Sequence, residues 1–346
     1  MKLGRRWLIT VIALSLLPFM FINLTHAAPL QPGQIFVAYG GNQIGVFADT
    51  VSLTGTQAMP PISIDPSSFG TGTTLSGGGG IALDEFGNLY VTVNNHDGTP
   101  EGKLGIVKVN ADGSVAFRQG YSISGVTDFR SLVVRDGKIY VATNRGIRVF
   151  NANTGDHISA ADFGGTLAYR DLAFDSQGNL YALREPTTGT VEIRRWSAGD
   201  FTGTGTILFS ASGNTDPRAL VVDEQGNIYF TANPAGGGVV RKFRQDGTLL
   251  ATYSVPSGTG TLIGLDYDPG TQRLFASHTA TGGIGQILWI DRNASSGSIM
   301  SVFPNNRPYD LSGVRWLAVY PTPEPAAAVL LIAGLGWLVR KLRRKA

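Results

Sequence analysis

Short apolar runs and glycine-containing turns alternate along the middle of this 346-residue chain. One repeated unit joins an apolar run to a β-branched and aromatic run through a turn of the form Asp-x-x-Gly-Asn. Because Gly and Asn accept positive φ at little cost, each unit is predicted to be a β-hairpin. The copies are Ile81–Val91, Leu132–Val141, Leu172–Ala182, Leu220–Phe230 and the less regular Leu265–Phe275.

The spacing of these hairpins indicates a larger repeat. Their starts are 51, 40, 48 and 45 residues apart, a period that suits a four-stranded propeller blade. Asp112-Gly113 and Asp246-Gly247 mark two more hairpins, because Asp-Gly is a strong two-residue turn signal. These pair Gly105–Val109 with Val115–Phe117, and Val239–Phe243 with Leu249–Tyr253.

The two ends of the repeat region supply complementary halves of one further unit. Ile35–Tyr39 matches the second strand of a repeat, and Arg315–Tyr320 matches a first strand. Joined, they would form one blade that closes a ring and removes exposed strand edges. Five internal repeats and this shared blade predict an all-β, six-bladed β-propeller over residues 28–320. A seven-bladed ring is the alternative if the stretch Ser52–Gly80 contains further strands.

The hairpin motif resembles those of the NHL, YWTD and SMP-30-like propeller groups over roughly residues 30–320. The resemblance implies a fold and does not select an activity. For the SMP-30-like group it would imply a metal-dependent lactonase with Glu, Asn and Asp at the channel mouth. Glu101 and Glu185 lie in suitable loops, but Gly80 or Arg170 stands where the first-strand glutamate of that group is expected.

The net charge of +3 comes from the two ends of the chain. Eight of the 28 Lys and Arg residues lie in the first 27 and last seven positions, which leaves 20 against 25 acidic residues. This acidic body does not support nucleic acid as a partner. The absence of cysteine excludes disulfides, thiolate metal sites and a cysteine nucleophile.

Residues 1–27 have the organisation of a secretory signal peptide. Lys2, Arg5 and Arg6 precede an apolar stretch, Trp7–Leu24, which is predicted to form a signal helix. Thr25 and Ala27 place small residues where a signal peptidase reads the chain, so cleavage is expected after Ala27. An uncleaved N-terminal anchor is the alternative.

Residues 321–346 form a tail with its own signal. A Pro-Glu-Pro triplet is followed by the short apolar segment Ala326–Val339, predicted to be a hydrophobic membrane helix, and by a basic cluster. This tail resembles the PEP-CTERM sorting signal, which implies processing by an exosortase in a Gram-negative bacterium that makes extracellular polysaccharide. A plain membrane anchor is the alternative. The sorting residues are Pro323, Glu324, Pro325, Arg340, Lys341, Arg343 and Arg344.

Two sets of polar residues flank the hairpins at matching places. Since the two strands are antiparallel, the start of the first and the end of the second share one mouth of the channel. The residues are Arg130, Arg170, Arg218, Arg315, Asn94, Asn144 and Asn233. They are candidates to bind an anionic or hydroxylated ligand such as a sugar acid. In the alternative interpretation the arginines join neighbouring blades through carbonyls and acids such as Asp128, Asp171 and Asp216.

No set of residues indicates a cofactor or a metal. The aspartates that recur in the hairpin turns are interpreted as caps of local backbone amides; they are Asp84, Asp175, Asp223 and Asp268. The three histidines after the signal, His96, His157 and His278, are far apart in the sequence. No catalytic residue is assigned, and calcium is left open without support.

The sequence thus predicts an exported, exosortase-processed propeller that acts as a binding or structural module. It would be held transiently in the membrane by its tail and then reach the cell surface or the matrix. Extracellular polysaccharide or a surface protein is the expected partner. The alternative is an extracytoplasmic enzyme, an SMP-30-like lactonase or a lyase, that uses the channel mouth.

Overall fold

The structure is a computed structural model that describes residues 29–39, 43–47, 57–63, 79–94, 104–235, 237–256, 260–280, 285–302 and 316–322. In these ranges the chain forms 23 β-strands in six antiparallel sheets and a single 3₁₀ turn, Ser159–Ala161. The predicted six-bladed β-propeller is therefore confirmed. The predicted signal helix, the hydrophobic tail helix, the sorting residues and Arg315 lie outside the described residues. Within the described ranges no helix is long and apolar enough to span a membrane.

Each blade runs outward from an innermost strand at the central channel. Blade 1 has the order β23-β1-β2-β3 and combines both ends of the described chain. Its strands are β1 (Ile35–Tyr39), β2 (Gln43–Phe47), β3 (Gln57–Ser63) and β23 (Leu317–Val319).

The other blades follow in chain order. Blade 2 consists of β4 (Ile81–Leu83), β5 (Leu89–Asn94), β6 (Leu104–Val109) and β7 (Val115–Tyr121). Blade 3 consists of β8 (Phe129–Arg135), β9 (Lys138–Thr143) and β10 (Ile147–Asn151). Blade 4 consists of β11 (Asp171–Phe174), β12 (Leu180–Thr187), β13 (Thr190–Trp196) and β14 (Thr206–Ser212). Blade 5 consists of β15 (Leu220–Val222), β16 (Ile228–Ala232), β17 (Val239–Phe243) and β18 (Leu249–Ser254). Blade 6 consists of β19 (Thr261–Asp268), β20 (Arg273–Thr279), β21 (Gly285–Asp291) and β22 (Ser301–Val302).

The ring closes through the shared blade that the sequence predicts. Strand β1 pairs with β23 in antiparallel register, with Phe36 opposite Ala318 and Val37 opposite Leu317. The stretch that raised the seven-bladed alternative does contain a strand. That strand, β3, is the outer strand of blade 1, so no seventh sheet arises among the described residues.

Blade 3 is the one irregular sheet among the six. Its fourth position is occupied by the segment around the 3₁₀ turn, which touches β10 through isolated bridges from Ile147 to Phe163 and from Phe150 to His157. His157 and Arg148 both contact the carboxylate of Asp162, at 3.0 and 3.1 Å. Ionic and ring contacts thus replace an outer ladder at this edge.

The repeated turn is held by one aspartate in the hairpins of blades 2, 4 and 5. Asp84 Oδ1 accepts hydrogen bonds from the N–H groups of Phe86 and Asn88, at 3.0 and 2.8 Å. Its Oδ2 accepts from Asn88 Nδ2 at 2.8 Å and from the Tyr90 hydroxyl at 3.1 Å. Asp175 and Asp223 bond their own Asn and Tyr in the same way. These carboxylates are therefore turn caps, as their position in the repeat indicates.

Neighbouring innermost strands approach closely where small residues stand. A Cβ added at Gly80 would lie 2.6 Å from Ser131 Cα, and one at Gly264 would lie 2.8 Å from Leu317 N. Such contacts are too short for a methyl group, so glycine allows blades 2 and 3, and blades 6 and 1, to pack at the channel.

We predict that Gly264→Ala lowers the free energy of unfolding by about 1–3 kcal/mol, because the added methyl group forces β19 away from β23. Chemical denaturation followed by circular dichroism measures the change. Ala82→Ser, an equally small change at a residue in the channel wall, serves as the control. A loss no larger than that of the control would contradict the packing argument.

Candidate functional site

The channel has two ends of different chemistry. At one end the innermost strands begin and the second strands finish; we call it the arginine face, after Arg130, Arg170 and Arg218. At the other end lie the Asp-x-x-Gly-Asn turns, and we call it the turn face. This division follows from the antiparallel hairpins. In each of them the start of the first strand and the end of the second lie on one side of the ring, and the turn lies on the other.

The three described arginines of the arginine face are each paired with a carboxylate. Nε of Arg130 lies 2.8 Å from Asp128, and Nε of Arg218 lies 2.8 Å from Asp216. Arg170 Nη2 lies 3.3 Å from Glu185. The arginine side chains are 23%, 38% and 36% exposed in chain order. Each charge is balanced by its acid, so these residues form a polar rim with little net charge.

The three predicted asparagines bond the backbone near the blade starts. Asn94 of blade 2 holds Phe129 of blade 3, accepting from its N–H at 2.9 Å and donating to its C=O at 2.6 Å. Asn233 of blade 5 does the same to Leu262 of blade 6, at 2.7 and 3.0 Å. Asn144 accepts from Thr127 N–H at 2.9 Å, within the connection that enters blade 3. These amides satisfy backbone groups that have no partner in the sheet.

The structure brings the predicted arginines and asparagines to one face. It also shows that their described contacts join strands and blades. Arg130 and Arg218 pair with Asp128 and Asp216, but each acid lies two residues from its arginine in the same connection, so these pairs do not join blades. Arg130 also reaches the entry to the next blade, where its Nη1 donates to the Tyr169 C=O at 3.4 Å. Asp171 accepts no hydrogen bond from an arginine within the described residues. Whether this face binds a ligand stays a prediction.

A cavity of about 740 Å³ occupies the centre of the ring. Innermost strands from all six blades form its wall, and Pro32, Ser176, Pro269 and Thr322 lie at its turn-face end. Every ionisable group in its described lining, apart from the tyrosines, is a carboxylate. The carboxylates are those of Asp84, Glu85, Asp171, Asp223, Glu224 and Asp266.

Two of these acids lie on the innermost strands themselves and connect blades. Asp171 accepts hydrogen bonds from the Ser131 hydroxyl of blade 3, from its neighbour Leu172 N–H at 2.8 Å, and from Leu220 N–H of blade 5 at 2.6 Å. Asp266 of blade 6 accepts from Tyr267 N–H at 2.8 Å and from Val319 N–H of blade 1 at 2.7 Å. Each carboxylate thus satisfies an N–H on the channel side of the next blade.

Burial disfavours the charged form of both carboxylates. Loss of water raises the pKa of Asp171 to about 7, against hydrogen bonds from Ser131 and two backbone amides that favour the anion. Burial likewise raises the pKa of Asp266 to about 7, and the nearby Asp268 adds to the effect. The channel therefore contains two acids that change charge near neutral pH.

Sequence reasoning did not single out Asp266 and gave Asp171 a different partner. The available signal was an acid within an otherwise apolar first strand, at Asp171-Leu172 and Leu265-Asp266. In the other repeats these two positions carry small or apolar residues, such as Gly80 and Val133. Within the described ranges no three His, Asp or Glu side chains are placed to hold a metal ion.

Neither a protein-family model nor a curated protein matches this chain. Among solved structures, a protein of unknown function from Bacteroides caccae is similar, with a TM-score of 0.55 and 13% identity over 83% of this chain and 98% of that one. The likeness shows the fold alone. A calcium-binding regucalcin from Agrobacterium tumefaciens is more distant, with a TM-score of 0.42 and 16% identity over 63% of this chain and 72% of that one.

We predict that Asn94→Ala lowers the free energy of unfolding by about 1–3 kcal/mol, because the N–H and C=O of Phe129 lose their partner inside the protein. Denaturant titration measures the change. The control is Asn110→Ala, since Asn110 Nδ2 makes an exposed bond to Ser114 Oγ at 3.1 Å, and its loss should cost less than about 0.5 kcal/mol. Equal effects would contradict a blade-joining role for Asn94.

We predict a pH dependence of stability that Asp266→Asn reduces. The folded carboxylate takes up its proton near pH 7, the unfolded one near pH 4, so the folded state binds more protons between these values. The free energy of unfolding of the wild type therefore falls as pH rises from 5 to 8, by roughly 2–4 kcal/mol for this group.

The measurement is denaturant unfolding at several pH values between 5 and 8. Asp266→Asn should show a shallower decline than the wild type. The control is Asp246→Asn, because hydrogen bonds from Thr248 hold the pKa of that exposed carboxyl below its usual range, outside this window. Parallel curves for the wild type and Asp266→Asn would show that burial does not raise the pKa of this acid.

Proposed function

We propose that this protein is an exported β-propeller that acts as a binding module for extracellular polysaccharide. The observation that carries the proposal is the rim of Arg–carboxylate pairs around the mouth of a closed ring, with side chains that remain partly exposed. Sugar hydroxyl groups both donate and accept hydrogen bonds. A guanidinium beside a carboxylate offers both functions at adjacent atoms.

The charge of the rim favours a neutral polymer over a sugar acid. Arg130, Arg170 and Arg218 are matched by Asp128, Asp216 and Glu185 at 2.8 to 3.3 Å. An anionic sugar would have to compete with these acids for the guanidinium groups. This narrows the sequence-based expectation of an anionic or hydroxylated ligand to a hydroxylated one.

Export is proposed from the two ends of the chain. The signal-peptide pattern in residues 1–27 supports entry into the export pathway and processing by signal peptidase. The tail that resembles a PEP-CTERM signal supports transient anchoring in the inner membrane and release by an exosortase. The cell surface or the extracellular matrix is then the place where the ring meets its ligand.

An enzyme that uses the same mouth, a lactonase or a lyase, is the competing proposal. Glu185 is the carboxylate in the best position to serve it, beside Arg170. Its Oε1 accepts hydrogen bonds from Gly189 N–H at 3.1 Å and Asp216 N–H at 3.4 Å, while Oε2 contacts Arg170. Three donors thus already occupy both oxygens of this carboxylate. This contact set supports the binding module.

We predict that the purified mature protein binds neutral polysaccharides, with dextran and β-glucan oligosaccharides as probes, in preference to alginate. The double variant Arg170→Gln, Arg218→Gln should bind about tenfold or more weakly, because two charged hydrogen-bond donors are lost. Isothermal titration calorimetry measures both effects. The control is Arg244→Gln, whose side chain is 60% exposed and lies 3.8 Å from Asp246 in an outer hairpin.

Three results would count against this proposal. Preferential binding of alginate would restore the sugar-acid interpretation of the arginines. Equal losses in the double variant and in Arg244→Gln would show that the arginine face is not the binding site. Cleavage of a polysaccharide or hydrolysis of a lactone, abolished by Glu185→Gln, would favour the enzyme.

A further inference from the structure

We propose that the central cavity of the ring binds an organic ammonium ion with an apolar body. This site is separate from the arginine face and does not depend on the function proposed for that face. The free amine is the ligand to which the proposal commits. A lysine side chain of another protein has the same chemistry and is distinguished by the test.

The cavity has the size of a small-molecule site. Its volume of about 740 Å³ lies in the range of roughly 300–1,000 Å³ that is usual for pockets that enclose a drug-sized ligand. Most of the wall is apolar, with residues such as Leu132, Val134, Phe174, Val222 and Leu265. The body of an alkyl or aryl chain would replace water along this wall, which is favourable.

The charge of the lining selects a cation. Six carboxylates line the cavity, and its described lining includes no Lys, Arg or His. Some of this charge is balanced from outside: Arg292 contacts Glu224 and lies 4.0 Å from Asp223. Asp84 and Asp223 also hold their hairpin turns. Even so, an anionic ligand would be repelled by the negative charge of the cavity wall, whereas an ammonium group would be attracted by it.

Two of the six acids lack a cationic partner in the described part of the chain. Asp171 and Asp266 are bound only by neutral donors, a hydroxyl and backbone amides. A buried carboxylate without an opposite charge is unfavourable. An ammonium group placed between the wall and these carboxylates would supply that charge. Binding would then stabilise their anionic form.

Aromatic rings of the same cavity fit the same ligand class. Trp316, Tyr267 and Tyr320 line it, and the face of an aromatic ring, above all that of Trp, attracts ammonium groups. The indole N–H of Trp316 is buried and has no hydrogen-bond partner in the described residues. That ring is therefore not committed to a polar contact within the fold. A ligand with an acceptor atom beside its ammonium group would also satisfy this donor.

The distribution of the acids favours an organic cation over a metal ion. Within the described ranges no three His, Asp or Glu side chains are close enough together to coordinate a metal. Carboxylates spread over blades 2, 4, 5 and 6 of an apolar wall fit a cation that carries an apolar body. The ligand that we propose is therefore an organic cation and not a calcium ion.

The test is isothermal titration calorimetry of the mature protein at pH 7.5 with three probes of equal shape. They are 4-phenylbutylammonium, the neutral 4-phenylbutanol and the anionic 4-phenylbutyrate. We expect the ammonium ion to bind at least about tenfold more tightly than the alcohol, with no binding of the anion. The acetylated, amidated peptide Gly-Lys-Gly is the fourth probe, and tighter binding of this peptide would overturn the free amine as the ligand.

Two variants locate the site. Asp266→Asn keeps an acceptor oxygen and should reduce the preference for the ammonium ion over the alcohol by about tenfold, since one partner of a buried charged contact is lost. Val133→Phe should weaken all binding, because Val133 lines the cavity and a larger ring fills it. Asp246→Asn, a charge-matched change on an outer hairpin, should bind as the wild type does. Unfolding midpoints confirm that each variant is folded.

Equal affinity for the ammonium ion and the alcohol, or an unchanged preference in Asp266→Asn, would overturn the proposal. The dextran titration is repeated on Val133→Phe, which leaves the arginine face intact. Loss of amine binding with retained dextran binding is the expected result. Retained amine binding in that variant would place the amine elsewhere and overturn the cavity as its site, whatever the outcome for the polysaccharide.

Discussion

The pairing of β1 with β23 is the interaction on which the rest of this structure depends. Three register pairs, Ile35 with Val319, Phe36 with Ala318 and Val37 with Leu317, join the two ends of the described chain in one sheet. Without them the facing edges of β1 and β23 would be unpaired, and an open edge is a template for association. The central cavity needs the same pairing, because Trp316, Val319 and Tyr320 supply part of its wall. A contact between strands far apart in the sequence thus completes the wall of the central cavity.

Closure imposes a second constraint on the innermost strands. Each has a neighbour on only one side within its sheet, so its other edge presents backbone groups to the channel or to the next blade. Asn94, Asn233, Asp171 and Asp266 satisfy such groups across blade boundaries. Using aspartate for this purpose has a cost that asparagine does not, because burial raises the pKa of each acid to about 7. The ammonium ion that we propose as ligand would supply the opposite charge that these two acids lack.

Most of the fold could be predicted because its signals are local. An Asp-x-x-Gly-Asn turn specifies a hairpin within 11 residues, and the same aspartate that indicated the turn in the sequence holds it in the structure. Two features could not be predicted. Strand β3 has the sequence Gln57–Ser63, which includes two prolines and lacks alternation. In blade 3 the fourth position is occupied by a segment held through Asp162, which contacts Arg148 of β10 and His157 of the segment itself.

The site was harder to predict because it depends on which residues of different blades meet. The matching positions of Arg130, Arg170 and Arg218 in the repeat place them at one face. Those positions do not indicate the acids that neutralise the three arginines, which are Asp128, Asp216 and Glu185. Asp171 and Asp266 differ from the repeat pattern at single positions, and their common environment appears only when six strands surround one cavity. The two ends of the ring therefore differ in electrostatics although the repeats that build them are alike. The mouth has balanced ion pairs, whereas the central cavity has an apolar wall with carboxylates.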